Sequence, residues 1–386
     1  MFGKDFMMWN NQKWYTPAET KIPLKAYFKS FIYGSHIDLL QYINSNRYCF
    51  GNKARDVLFA LISNLKEKQL LDDNSEILIP GYTCPSLPSA VIANNLKIQL
   101  YDLEPQTLKP DLNSINRMIN KNTRILIIQY LFGIPFDLSE ILKITQKNNI
   151  ILIEDVAQSM GTNVNGQYVG NTGDFVLYSF GRGKPLPALG GGLLVNNSDI
   201  NLTLKLKSHH ENILNFLKPL LINLFSNPFL YKIIESYSCF NLGEDEIAII
   251  KNQKITHFQR NLVNNLMKYL EEYNEHRSYI GSIYNKNISE SHKIQMDKNI
   301  YPIYNRYPVL CKEFITVTAR LLSWGIRKMY KRNIDEYPQF HKYISLKDSL
   351  NGCKEIKQKL ITLPTHSKID NKRALQIINE LNSYLI

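Results

Sequence analysis

Cysteine is scarce in this chain and poorly spaced for chemistry. Cys49, Cys84, Cys239, Cys311 and Cys353 are odd in number and include no CxxC pair. That excludes a regular disulfide framework and a zinc site of the usual spacing, and it suits a reducing compartment. Long apolar runs are missing too. No uninterrupted stretch is long enough to span a bilayer, and the opening MFGKDFMMWNNQKWY has no continuous apolar core of signal-peptide type. The expectation is a cytoplasmic protein. Acidic residues are in deficit, 34 against 46 Lys and Arg, for a formal charge of +12. Such a balance favours an anionic partner: nucleic acid, an acidic membrane surface or a phosphorylated small molecule. The excess is mostly scattered lysine, without a compact basic run, a metal-binding Cys/His cluster or a nucleic-acid signature, so no nucleic-acid partner and no metal are expected.

The 386 residues are 44% hydrophobic and 21% charged, a composition that folds and is long enough for a large and a smaller domain. Short apolar runs recur through the first two thirds: SEILIPG at 75–81, LKIQLYDLE at 96–104, TRILIIQYLFG at 123–133, NIILIEDVAQ at 149–158, GDFVLYSFG at 173–181, then GGLLVNN. Segments of helical character such as DLSEILKITQKNN lie between several of them. This rhythm predicts an α/β fold, a mostly parallel sheet flanked by helices. The expected division is an N-terminal segment at 1–45, a large domain at 46–252 with a helical insertion at about 203–252, and a connecting helix plus small α/β domain at 253–386. The insertion, NILNFLKPLLINLFSNPFLYKIIESY, is interrupted by Lys218, Pro219, Asn223 and Pro228 and is not a membrane span. It reads as a buried or dimer-facing element in preference to a helix lying on lipid, with peripheral membrane contact left open. FQRNLVNNLMKYLEEYNEHRSYIGSIYN reads as one long connecting helix.

One lysine stands apart. In YSFGRGKPLPALGGG, Lys184 sits among glycines and prolines that permit neither a long helix nor a long strand. A phosphate loop of the GxxxxGK[ST] type is excluded, because Pro185 follows the lysine and Tyr178 occupies the first glycine position. A solvated loop lysine would be the plain account. Upstream, however, Asp155 and Ser179 each end an apolar run, where sheets of this kind place ligands. A lysine amine, a carboxylate and a hydroxyl with nearby backbone donors are the groups needed to hold pyridoxal phosphate by its aldehyde, its pyridine nitrogen and its phosphate.

From about Ala54 to the C-terminus the sequence resembles the DegT-type (DegT/DnrJ/StrS) sugar aminotransferases, fold type I enzymes that use pyridoxal 5′-phosphate. The resemblance is carried by EDVAQSMGTNVNGQYVGNTGDFVLYSFGRGKPLPALGGGLLV, IPGYTCPS, YDLEPQTLKPDL, LFGIPFDL, RYPVL, WGIRK and LPTHSKIDNKRALQIINEL. It implies a fold type I transferase in which Lys184 binds the cofactor aldehyde and relays the proton, Asp155 pairs with the pyridine nitrogen and Gln158 lies near the ring's phenolic oxygen. Ser179, Ala54 and Arg55 would meet the phosphate, and Cys84 the ring face. Relatives usually have glycine at the position of Ala54, and their Asn and Arg segment that reaches a neighbouring subunit is not recognisable here. Related sugar dehydratases replace the lysine with histidine, so Lys184 favours amino transfer. The resemblance thus implies a homodimeric aminotransferase of amino-sugar or polysaccharide biosynthesis that moves an amino group, expected from glutamate, to a keto sugar nucleotide. Two alternatives stay open: a binding or scaffold protein that keeps the fold without catalysis, and a pyridoxal phosphate enzyme acting on a non-sugar carbonyl.

Overall fold

The computed structural model describes residues 13–385 except 19, 33–37 and 237–247. Cys239, the start of the chain and residues 237–247 of the helical insertion therefore lie outside the described residues. An eight-stranded sheet organises the molecule. From one edge to the other its strands are Tyr48–Gly51, Gly192–Asn196, Phe175–Ser179, Ile151–Asp155, Thr123–Gln129, Glu76–Pro80, Lys97–Tyr101 and Ile344–Lys347. Gly192–Asn196 runs antiparallel to both neighbours, and the pairings from Phe175–Ser179 to Ile344–Lys347 are all parallel. Each apolar run named above supplies one strand. Their Ile, Leu and Val side chains are buried because helices cover both faces of a parallel sheet.

Helices Ala54–Glu67, Ser86–Ile92, Leu112–Met118 and Ser139–Asn148 follow strands in turn. Asn149 ends the last of them in the left-handed conformation (φ 51°), the usual C-terminal stop for an asparagine. The edge strand Ile344–Lys347 comes from the C-terminal third, which also forms the antiparallel pair Tyr307–Leu310 with Leu360–Leu363.

Two expectations are corrected. The connecting segment is not one helix: His257–Met267 and Leu270–Asn287 are separated by a turn at Lys268 and Tyr269, where the Tyr269 amide donates to the Leu266 carbonyl in a tightened, three-residue step (2.9 Å). Nor is the insertion buried within the chain, which leaves only the dimer-facing half of that expectation standing. Helix Ile213–Phe225 and the helix that starts at Pro228 lie on the surface, with Leu214, Leu217, Leu221, Leu224, Phe225 and Phe229 exposed. No helix among the described residues is long and apolar enough to cross a membrane.

Candidate active site

The sheet opens at its carboxyl ends. Phe175–Ser179 is buried at every position except the last, and Ile151–Asp155 is buried at its three inner positions, so Ser179 and Asp155 are the half-buried carboxyl ends of neighbouring strands. Lys184 joins them through a tight turn: a Cβ added at Gly181 would lie 3.6 Å from Ser179 Oγ and 3.9 Å from Lys184 Cγ. Gly183, immediately before the lysine, has φ +70°, a conformation that disfavours any side chain there.

The turn is fixed on both sides of the lysine. Asn305 Nδ2 donates to the Gly183 carbonyl (3.0 Å), and the Arg277 guanidinium donates to the Pro185 carbonyl (2.9 Å). Arg277 also donates to Asn274 Oδ1 and Thr20 Oγ1, both at 3.0 Å. Burial lowers its pKa to about 10.

Two consecutive carboxylates have opposite environments. Glu154 is fully buried and saturated: it accepts from the amides of Gly170 (3.0 Å), Thr172 (3.0 Å) and Gly173 (2.6 Å) and from the Tyr130 hydroxyl (2.7 Å). It holds the 170–173 turn and has no capacity left for a ligand. Asp155 accepts one backbone hydrogen bond, from the Ala157 amide (3.0 Å). Desolvation raises its pKa, opposed by the nearby Lys184 ammonium and by that amide. A desolvated carboxylate facing an amine, with hydrogen-bonding capacity to spare, is the arrangement a bound cation would relieve.

A second cluster forms where helix Ala54–Glu67 begins. Ala54 is its first residue, and the helix start is pressed against the sheet: a Cβ on Gly192 would lie 2.3 Å from the Ala54 nitrogen. Lys53, the N-cap, is half-buried, and its pKa falls to about 8, through desolvation first and then the repulsion of Arg55, Lys218 and Lys251, with Asp56 opposing. Arg55 donates through Nε to the Ile249 carbonyl (3.1 Å) and through Nη1 to Ser86 Oγ (3.4 Å). Asp56 Oδ1 accepts from the amides of Lys251 (3.1 Å) and Asn252 (3.2 Å), and the Asn52 amide donates to the Gln253 carbonyl (2.8 Å). The end of the insertion is thereby folded back onto the helix start, where four cationic side chains meet.

The remaining expected residues are nearby but occupied differently. Gln158 is buried, with Oε1 accepting from the Phe132 amide (3.0 Å) and Nε2 donating to the Tyr330 hydroxyl (3.1 Å). Tyr330 packs edge-on against Tyr82 at 5.0 Å, so the C-terminal third closes on the sheet here. Cys84 is half-buried in the loop after Glu76–Pro80, next to Thr83, whose hydroxyl donates to Gln129 Oε1 (2.7 Å). A cavity of about 340 Å³ lies elsewhere, between Tyr130, Phe136, Leu142 and the Val164–Val169 hairpin, and none of these site residues lines it.

Residues 58–382 match the model of the DegT/DnrJ/EryC1/StrS aminotransferase family. The chain belongs to this family. Among its relatives, GDP-perosamine synthase of Vibrio cholerae is 26% identical over 143 residues, 37% of this chain and 39% of that protein. The chain thus spans about two fifths of the length of the curated relatives it first matches. Over nearly the whole chain the fold is that of Helicobacter pylori PseC, an aminotransferase involved in the biosynthesis of pseudoaminic acid (TM-score 0.72, 15% identity, 97% of this chain and 99% of that one). It is equally that of the GDP-4-keto-6-deoxymannose-3-dehydratase ColD (TM-score 0.71, 15% identity, 96% and 100%). At such identities the likeness speaks for the fold alone.

Of the residues expected from the sequence, the structure brings Lys184, Asp155 and Ser179 close together and places Ala54 and Arg55 at the start of a helix. Lys53, Arg277 and Asn305 were not among them. Lys53 was within reach, since it directly precedes Ala54 and Arg55, which the resemblance sets at the phosphate. Arg277 and Asn305 carry no local signal, because their partners lie 92 and 122 residues away.

Proposed function

We propose that this member of the DegT/DnrJ/EryC1/StrS family is a pyridoxal phosphate-dependent aminotransferase that moves an amino group from glutamate to a keto sugar nucleotide, acting as a homodimer in the cytoplasm. The observation that carries the reading is the juxtaposition of Lys184, on a loop fixed at both neighbouring carbonyls, with the desolvated and sparsely bonded Asp155.

These residues fit the cofactor. Asp155 would face the protonated pyridine nitrogen, Lys184 the aldehyde carbon, and Ser179, the Ala54 helix start, Lys53 and Arg55 the phosphate. Gln158 and Cys84 would stand against the ring's oxygen and face. When bound, the cofactor supplies an electron sink for the carbon that loses its proton. The chain's own part is orientation and proton movement. Asp155 would hold a positive charge on the pyridine nitrogen, and the free amine of Lys184 would be the base that moves a proton between the two carbons on either side of the transferred nitrogen. Amino donor and keto acceptor use the same site in turn, and the cations around Lys53 and Lys251 favour substrates that bring their own phosphates.

Visible absorption tests this directly. The wild type mixed with pyridoxal phosphate should develop an absorption band that glutamate bleaches and that the Lys184→Ala variant alters. A wild type that shows no band with excess cofactor would sink the enzyme reading and leave the binding-protein alternative.

A further inference from the structure

Helix Ile213–Phe225 is built inside out. Its protein-facing side is mixed: Phe216 and Leu220 pack against the core, but Asn215, Pro219 and Ser226 are buried with them, and Asn223 makes paired hydrogen bonds to the backbone of Ile22, accepting from its amide (2.9 Å) and donating to its carbonyl (2.7 Å). Its outward side carries Leu214, Leu217, Leu221, Leu224 and Phe225 at helical spacing, between 37% and 55% exposed. A surface helix ordinarily does the reverse.

The face continues onto the short helix Leu24–Lys29. The Tyr27 hydroxyl donates to the Phe216 carbonyl (3.1 Å), and the Phe31 and Phe216 rings touch at 5.2 Å. Beside that junction Phe28 is 60% and Ile32 74% exposed. Residues 20–32 and 212–232, which make up this surface, contain five lysines and no Asp or Glu. Lys25 and Lys29 are exposed among the apolar side chains.

We propose that this face docks on an anionic lipid surface. Apolar side chains standing out among lysines, with no carboxylate between them, are complementary to acyl chains beneath negative headgroups. A second copy of the same face fits less well. A two-fold interface would bring the lysines of both copies onto one apolar surface, with no acid in these segments to pair them.

The full chain, sedimented with phosphatidylcholine vesicles with and without about 30% phosphatidylglycerol, tests the proposal. The wild type should pellet with the anionic vesicles and stay in solution with the neutral ones, and added salt should release it. Lys25→Gln with Lys29→Gln should weaken binding by about fivefold per lysine. Leu221→Asp with Leu224→Asp should abolish it while the thermal midpoint and far-ultraviolet dichroism stay unchanged. Equal partition to neutral and anionic vesicles, or to neither, overturns the proposal. So does light scattering in which the aspartate variant turns a wild-type dimer into monomer, which would assign the face to a second copy.

Discussion

At the scale of single residues, two charges are held at a cost that a ligand would relieve. Asp155 has its pKa raised by desolvation, so the folded state binds its proton more tightly than the unfolded chain does. Its contribution to stability is then lost as pH rises from the ordinary aspartate value near 4 through the raised one. Asp155→Asn should therefore melt at a higher temperature than the wild type at pH 7 without cofactor, with the gap closing below about pH 4. The same variant should lose the visible band formed with pyridoxal phosphate. Lys53 shifts the other way. Its pKa falls from 10.5 to about 8, so the penalty of its buried charge is fully present below pH 8 and relieved between 8 and 10.5. An anion needs the charged form, and affinity for inorganic phosphate, measured by calorimetry, should fall as pH passes 8. In Lys53→Met that pH dependence should disappear.

At the scale of elements, the loop that carries Lys184 is shaped by side chains from distant parts of the chain. Arg277 reaches the Pro185 carbonyl from a helix in the C-terminal third. Arg277→Met would leave that carbonyl, Asn274 and Thr20 without their donor, at a cost of about 1–3 kcal/mol in stability. The displaced lysine should lower kcat by up to about 100-fold while leaving the affinity for inorganic phosphate unchanged. Equal losses in both would make Arg277 a general stabiliser and not a positioning residue. What the sequence disclosed at this scale follows burial. Six strands of the sheet were legible as apolar runs because both their faces are covered. Ile344–Lys347 was not, since ISLK lies on an edge and is mostly exposed. The turn at Lys268 and Tyr269 left no mark because neither residue breaks helices, and the apolar side of Ile213–Phe225 was visible as a stripe without any sign of which way it faced. Periodicity reports a face, and only the fold says what meets it.

At the scale of the whole molecule, the segment around Tyr15 and Pro17 is tied into the C-terminal third, and that third into the sheet. The Tyr15 amide donates to the Ser323 carbonyl (2.7 Å), and buried Arg306 donates to the carbonyls of Pro17, Gly325 and Thr362 and to the Thr362 hydroxyl. Burial and the repulsion of Arg327 lower the Arg306 pKa to about 9, yet no carboxylate among its described partners neutralises it. Its role is geometric: three carbonyls from separate segments converge on one planar group. Together with the Gln158 to Tyr330 bond and the edge strand Ile344–Lys347, these ties cross any boundary drawn near residue 253. The chain should unfold in a single calorimetric transition, and pyridoxal phosphate at 100 times its dissociation constant should shift that whole transition by the equivalent of about 2.7 kcal/mol. Arg306→Met, which strips the donor from all three carbonyls, should instead split it, melting the C-terminal third at a lower temperature than the sheet. A wild type that already melts in two steps, with only the upper one moved by the cofactor, would show that these ties do not couple the two parts.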